Sequence, residues 1–204
     1  LRKLSSSEEV YLCRDEGYFP VLVNPEGEKI VAVVRGGAGH VGITGNLKSV
    51  ISNDGGETWE QPIMIVDSEV DDRNPAVGIA PDGSIVLCYH TQASYDEQGN
   101  FNGRMGLVRM MVTDSMDGRE WAEPWSLGID AHDKHSPFGR IVTLPDGTML
   151  QPLYGDGIGD DQRGLNHSYL VRSRDNGKTW GDSSLIAPNQ NETGLALLPN
   201  GELL

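Results

Sequence analysis

Short apolar runs, each bounded by turn-forming residues, follow one another along the whole chain. Examples are residues 30–34, 76–80, 85–89 and 149–153, which are rich in aliphatic side chains and lie next to Gly, Pro, Asn or Asp. Runs of this length and composition are typical of β-strands. Because no long stretch keeps the 3.6-residue apolar period of an amphipathic helix, the pattern predicts an all-β protein with almost no helix.

Two kinds of turn recur between these runs. In the first, Gly follows Pro by two residues, and the copies begin at residues 25, 81, 145 and 199. The second has the pattern S-x-D-x-G-x-T-W at 52–59 and 173–180, with a shorter, degenerate copy at 115–121. Gly supplies positive φ, the Asp carboxylate accepts backbone N–H groups, and the Trp ring packs over the turn. Both kinds of turn therefore predict tight hairpins.

The order of strands and turns repeats about every 60 residues, as tandem structural repeats do. Each unit reads strand, Pro-x-Gly turn, strand, loop, strand, Ser-Asp-Gly turn, strand, which describes a four-stranded antiparallel sheet. Tandem sheets of this size predict a β-propeller. We place its blades near residues 17–66, 73–128 and 137–187, with the start of a further blade at 190–204, all in one partial propeller domain.

Composition and charge narrow the range of partners. The 204 residues include 37% hydrophobic and 23% charged side chains, as in an ordinary globular protein. The net charge of −14 argues against nucleic acid, and no apolar run is long enough for membrane insertion. Two cysteines, Cys13 and Cys88, provide neither a disulfide framework nor metal-site spacing. We expect no metal and no cofactor, and the sequence indicates no oligomeric state.

Candidate functional residues concentrate in one set of loops. Both kinds of turn lie one strand pair apart, so they share one face, and the longer remaining loops lie on the opposite face. These loops are rich in His, Arg and Asp, and functional residues favour loops held by a rigid scaffold. Asp71, Asp72 and Arg73 cluster at the start of the second blade. The candidate substrate-binding residues are Arg35, Arg73, His90, His135, Arg140 and Tyr154, and two candidate catalytic residues are His40 and Asp72.

Each type of candidate has a chemical reason. An imidazole such as that of His40 titrates near neutrality and suits general acid or base work, and a carboxylate such as that of Asp72 can share that work. Guanidinium groups bind anionic substrate groups through bidentate hydrogen bonds. Arg35, His90 and Tyr154 end the second strand of their blades in equivalent repeat positions, which predicts a ring of polar groups around the axis.

The Ser-Asp-Gly turns resemble the Asp-box, or BNR, repeat of the sialidase superfamily. This resemblance implies a six-bladed propeller of which the chain holds about three and a half blades, as an N-terminal fragment of a longer protein. It also implies a carbohydrate substrate and a secreted, periplasmic or cell-surface location. Sialidases bind the substrate carboxylate with three Arg. They use a Tyr nucleophile that a Glu activates, and an Asp as the acid/base.

Three of those family positions fall within this chain. Tyr18 stands where the first Arg is expected, and the loop 35–45 has His40 but no carboxylate, whereas 191–195 matches the Glu motif and makes Glu192 the third catalytic candidate. The resulting hypothesis is a sialidase-like exo-glycosidase that hydrolyses a terminal sugar of a glycan. The alternatives are a non-catalytic glycan- or protein-binding propeller, or a polysaccharide lyase on the same fold.

Overall fold

The regular structure of the protein consists of β-strands. The computed structural model describes residues 9–103, 108–129, 134–157 and 166–204. The described strands are β1 (Tyr18–Glu26), β2 (Lys29–Gly36), β3 (Asn46–Ser52), β4 (Ile63–Val66), β5 (Asp71–Ile79), β6 (Ile85–Gln92), β7 (Val108–Ser115), β8 (Trp125–Ser126), β9 (Ser136–Pro137), β10 (Gly139–Arg140), β11 (Val142–Thr143), β12 (Met149–Asp156), β13 (Asn166–Ser173) and β14 (Gly181–Pro188).

These strands form three antiparallel sheets in chain order, which we call blades 1, 2 and 3. Blade 1 has the order β1-β2-β3-β4, blade 2 has β5-β6-β7-β8, and blade 3 has β11-β12-β13-β14 with β9 beside β12. The prediction of an all-β propeller with four-stranded antiparallel blades is confirmed.

Blades 2 and 3 are joined near the axis by a parallel contact. The short strand β10 pairs with β5, with Gly139 opposite Ala76 and Arg140 opposite Val77. Gly78 permits this approach, since a Cβ atom there would lie 2.5 Å from the backbone oxygen of Ile141. The segment that leads into blade 3 therefore lies directly beside the first strand of blade 2.

Alternating side chains of each blade build the cores on its two faces. On β6, Ile85, Leu87 and Tyr89 belong to the cluster shared with blade 1, whereas Val86 and Cys88 belong to the cluster shared with blade 3. Both sets are buried, because successive residues of a strand point to opposite faces of the sheet. This explains why the run 85–89 is apolar throughout instead of alternating.

The Ser-Asp-Gly turn of blade 1 is closed by one carboxylate. Asp54 accepts the backbone N–H of Thr58 at 2.9 Å, the Thr58 hydroxyl at 2.5 Å and the Ser52 hydroxyl at 2.8 Å. These bonds lower the pKa of Asp54 to about 2. Asp175 makes the same set of bonds with Thr179 and Ser173 in blade 3.

The same turns hold neighbouring blades together. Gly118, in the turn of blade 2, lies against Val31 of blade 1, and its carbonyl accepts the hydroxyl of Ser49 at 2.7 Å. Gly177, in the turn of blade 3, lies against Val86 of blade 2 in the equivalent way. At this second junction the indole N–H of Trp125 donates to the carbonyl oxygen of Lys178 at 3.2 Å, so both junctions are apolar and hydrogen-bonded.

Strand pairing sorts the connections into two ends. Glu26 pairs with Lys29 beside the Pro-x-Gly turn, and Ile30 pairs with Ser52 beside the Ser-Asp-Gly turn, so both kinds of turn lie at one end, as the alternation predicts. At the other end Tyr18 pairs with Arg35 and Gly36 with Asn46. We call this second end the mouth face.

Candidate functional site

A buried ion pair joins blades 1 and 2 at the mouth face. Arg35, at the end of β2, donates from Nη2 to Oδ1 of Asp71, at the start of β5, at 2.5 Å. Both side chains have no exposed surface. The guanidinium of Arg35 also donates to the carbonyl oxygens of Ala38 and Gly42, at 3.1 and 3.3 Å. Arg35 thereby fixes the loop that follows its own strand.

Asp71 collects further donors from two loops. Its Oδ2 accepts the hydroxyl of Tyr95 at 2.5 Å, and the same hydroxyl accepts the backbone N–H of Gly42 at 3.0 Å. Burial and the bond to Asp71 raise the pKa of Tyr95 to about 12, so its hydroxyl keeps its proton. The loops after β2 and β6 are thus fastened to one carboxylate.

Arg73 is the second cation beside Asp71, but its guanidinium is far less satisfied. Its Nη1 lies 3.6 Å from Oδ2 of Asp71, and only 9% of its side chain is exposed. Within the described part of the chain, this guanidinium makes no hydrogen bond, and its Nε is buried without a partner. Two guanidinium groups share one carboxylate, so the cluster carries excess positive charge that suits a bound oxygen ligand.

Asp72 lies on the opposite face of β5 from this cluster. Ser68 donates to it from the backbone N–H at 2.8 Å and from the hydroxyl at 3.0 Å. Burial raises the pKa of Asp72 to about 6 in spite of these bonds. The residue has no exposed surface, so the catalytic role predicted for Asp72 lacks access to solvent or substrate in this structure.

His90 pairs with Arg73 across strands β5 and β6 and is buried with it. Its Nδ1 lies 2.8 Å from the hydroxyl oxygen of Ser136. Burial, and then the positive charge of Arg73, lower the pKa of His90 to about 3. The imidazole is therefore neutral, and it faces the junction between blades 2 and 3.

Tyr154, at the end of β12, lies across this junction from Arg73. The amide nitrogen of Asn74 donates to the Tyr154 hydroxyl at 3.0 Å and to the Ser136 hydroxyl at 2.8 Å. Burial raises the pKa of Tyr154, and the charges of Glu192 and Arg73 both act on its phenol. The phenol therefore lies within electrostatic reach of two other predicted site residues.

Glu192 is held near Tyr154 by the residue that follows it. Thr193 and Ser168 join their hydroxyl groups at 2.5 Å, and Ser168 is the cross-strand partner of Tyr154. Glu192 itself is exposed and has a positive φ of 39°. Its carboxylate forms no ion pair with the described residues, so it is available to a ligand.

The remaining predicted residues lie in different surroundings. His40 is exposed, and its ring meets that of Phe19 edge-on at 5.6 Å. His135 is buried, stacks on Tyr169 at 5.2 Å, and its Nε2 lies 2.7 Å from the carbonyl oxygen of Asp156. Arg140 is exposed and lines a cavity of about 430 Å³ beside the inner strands.

Arg73, His90 and Tyr154 thus lie at one junction, and the charge of Glu192 reaches the Tyr154 phenol, whereas Arg35 is bound by Asp71 and His135 by the carbonyl oxygen of Asp156. Sequence reasoning missed Tyr95, Asn74 and Ser136, and it preferred Asp72 to its neighbour Asp71. Strand alternation offers the signal that one of two adjacent carboxylates faces each side. Alternation does not predict which of the two carboxylates lies beside Arg35 and Arg73.

The described residues include neither a clustered metal-ligand set nor a membrane-spanning helix. Within the described ranges, no group of three or more His, Cys, Asp or Glu side chains could hold a metal ion. The same ranges contain no helix that is long and apolar enough to cross a bilayer.

Several proteins of known structure have a fold similar to that of this chain. No curated protein matches the chain. The fold is similar to that of the Hadza microbial sialidase Hz136, with 21% identity, a TM-score of 0.72, and coverage of 88% of this chain and 39% of that one. The NanB sialidase from Streptococcus pneumoniae is also similar, with 13% identity, a TM-score of 0.67, and coverage of 92% of this chain and 48% of that one. The α-L-arabinofuranosidase Arb93A from Fusarium graminearum has 13% identity and a TM-score of 0.57, with coverage of 91% of this chain and 52% of that one.

The chain spans about half or less of the length of these three proteins. Their likeness shows that it has a fold used by glycoside hydrolases. The family model of the BNR repeat-like domain matches residues 35–204, which is most of the chain. The protein therefore belongs to the BNR repeat-like domain family, as a sialidase-like propeller.

Proposed function

We propose that the protein is an exo-glycosidase that hydrolyses the bond to a terminal sugar of a glycan. The observation that carries the proposal is the placement at the mouth face of Arg73, Tyr154 and Glu192, with the charges of Arg73 and Glu192 both acting on the Tyr154 phenol and Thr193 fastening the Glu192 segment to Ser168, the strand partner of Tyr154. A nearly buried guanidinium without a hydrogen bond to the described residues can bind a sugar oxygen, and a protonated phenol and an exposed carboxylate can serve a departing glycosidic oxygen. The glycoside hydrolases with the same fold support the reaction class.

Each of these residues has a distinct role in the proposal. Arg73 binds an anionic or hydroxyl group of the sugar, because its guanidinium makes no hydrogen bond to the described residues and the cluster has excess positive charge. Glu192 acts as the acid or base, since its carboxylate is exposed beside Tyr154. Arg35 and Asp71 hold Arg73 and the surrounding loops in place, so Arg35 contributes by positioning and does not touch the sugar.

The other predicted residues have secondary roles in the proposal or none. His40 is exposed on the loop of blade 1 and is a second proton donor or acceptor in the proposal. His90 is neutral and holds Ser136, and Arg140 provides a cation near the axis. Asp72 and His135 are not carried into the catalytic proposal, because their side chains are enclosed by the protein.

The experiment is a hydrolysis assay with a panel of 4-methylumbelliferyl glycosides that includes the α-N-acetylneuraminide and the α-L-arabinofuranoside. We expect release of fluorescent product from at least one member. Glu192→Gln should lower kcat by about 100-fold or more without changing Tm. Glu202→Gln, an exposed change beside the Pro-x-Gly turn at the opposite end, is the matched control and should keep full activity.

Two results would contradict the proposal. Saturable sugar binding without release of product over long incubation would indicate a non-catalytic glycan-binding propeller. Equal kcat values for Glu192→Gln and the wild type would remove Glu192 from the chemistry.

A further inference from the structure

The hydrogen-bond network that links blades 2 and 3 at the mouth face consists of uncharged side chains. Asn74 and His90 come from blade 2, and Ser136 and Tyr154 come from blade 3. Ser136 and Asn74 are 62 positions apart, and Asn74 and Tyr154 are 80 positions apart. Each hydroxyl in the network has one proton to donate, so the direction of one bond constrains the directions of the others.

Ser136 determines the direction of the bonds. Its hydroxyl proton is shared between the carbonyl oxygen of Pro137, at 3.0 Å, and the phenol oxygen of Tyr154. The Ser136 hydroxyl oxygen accepts from the Asn74 amide at 2.8 Å and lies 2.8 Å from Nδ1 of His90. Since the one proton of Ser136 is already donated, the neutral His90 must donate its own Nδ1 proton to Ser136. Both lone pairs of Ser136 are then occupied, and the Asn74 amide is oriented by this acceptor.

The second amide proton of Asn74 decides the state of Tyr154. It is donated to the phenol oxygen at 3.0 Å, so that oxygen acts as an acceptor inside the network. The Ser136 hydroxyl is a second donor to this oxygen, since its hydrogen bond to the phenol lowers the pKa of Tyr154. With both donors on its oxygen, the phenol finds no acceptor for its own proton among the described residues, and Tyr154 is only partly buried. This proton is therefore directed away from the network, on the side where Arg73 and Glu192 act on the phenol.

The backbone of Asn74 suits this task. Its φ of 52° lies in the left-handed region, between Arg73 and Pro75, where the β5–β6 register shifts. Asn and Asp tolerate this conformation better than other non-glycine residues. The bulge turns the amide toward blade 3 instead of keeping it in the alternation of β5.

We propose that Asn74 is a positioning residue that holds the Tyr154 phenol as a hydrogen-bond donor to the bound sugar. This inference rests on the proposed function for its ligand, a sugar with an oxygen acceptor near Arg73. Tyr154 contacts the sugar, and Asn74 acts only through Tyr154.

The decisive variant is Asn74→Asp, which keeps the size and the left-handed backbone but replaces a donor by an acceptor. The new carboxylate takes the phenol proton, so the phenol no longer donates to the sugar. In protein labelled with ¹³C at tyrosine Cζ, the resonance of Tyr154 is identified by its loss in Tyr154→Phe. We expect Asn74→Asp to move this resonance downfield, as donation to a carboxylate does. Phe138→Leu, which alters only the ring packed edge-on against Tyr154, is the control and should leave the bonding unchanged.

Kinetics provide the second measurement. On the glycoside that the panel identifies, Asn74→Asp and Tyr154→Phe should each lower kcat/KM about tenfold or more, and the double variant should lose no more than either single one. A resonance that does not move in Asn74→Asp, or losses that add in the double variant, would overturn the inference. If no glycoside is hydrolysed, the proposed function fails while the Cζ resonance still decides the direction of the bond.

Discussion

Arg35 and Asp71 lie where neither can reach solvent, and each depends on the other for charge compensation. Removing one partner of such a pair leaves the other as an uncompensated buried charge, which costs about 3 to 5 kcal/mol. We therefore expect Asp71→Asn to lower the free energy of unfolding by about that amount, because Arg35 and Arg73 would then face each other without a carboxylate. Urea unfolding followed by circular dichroism measures the change.

The matched control is the exposed pair of Arg119 and Glu60, which also closes at 2.5 Å between blades 1 and 2. Exposed pairs contribute little, since water screens them and long side chains lose freedom. Arg119→Gln should therefore have a much smaller effect than Asp71→Asn. Equal effects of the two variants would show that burial does not set the strength of the Arg35–Asp71 pair.

At the scale of one turn, a single carboxylate organises the segment 52–59. The pKa of Asp54 is lowered to about 2, chiefly by its bonds from Thr58. A carboxyl group with a lowered folded-state pKa stabilises the protein above its unfolded pKa of about 4, and this contribution disappears as the pH falls toward 2. Asp54→Ala should therefore destabilise the protein at pH 7, and the difference from wild type should shrink between pH 4 and pH 2 in urea titrations.

The degenerate turn of blade 2 offers a comparison within the same chain. Asp117 accepts backbone N–H groups from Arg119 and Glu120 but has no Thr hydroxyl to bind. Asp117→Ala should therefore have a smaller effect at pH 7 than Asp54→Ala. A larger effect for Asp117 would mean that the Thr bond is not what stabilises the turn.

The elements also show what a sequence can and cannot predict. Strands and turns follow from local patterns, because alternation, Gly at positive φ and the Ser-Asp-Gly spacing act within a few residues. The placement of Tyr95 beside Asp71 depends on the packing of two loops, and the bond from Asn74 to Ser136 crosses 62 positions. Nothing local distinguishes the fully buried Arg35 from the exposed Arg140, so the enclosed and open candidates could be separated only in three dimensions.

At the scale of the whole molecule, the question is whether the blades unfold as one unit. The junction of blades 1 and 2 depends on a close approach, since a Cβ atom on Gly118 would lie 2.9 Å from both methyl groups of Val31. Gly118 also has a φ of 79°, which L-residues rarely adopt. Gly118→Ala should therefore cost about 1 kcal/mol for the backbone and about 1 to 3 kcal/mol more for the clash.

Gly83→Ala separates these two costs, because Gly83 has a similar φ of 89° but open space around its Cβ position. We expect Gly83→Ala to show the backbone cost alone. Val31→Ala should partly restore Gly118→Ala, with a coupling above about 1 kcal/mol in a double-mutant cycle, and should be additive with Gly83→Ala. If blades 1 and 2 unfold together, the coupling appears in one cooperative urea transition. Additive effects of Val31→Ala and Gly118→Ala, or separate transitions for the two variants, would mean that the blades are held together chiefly elsewhere, for example by the polar cluster around Asp71.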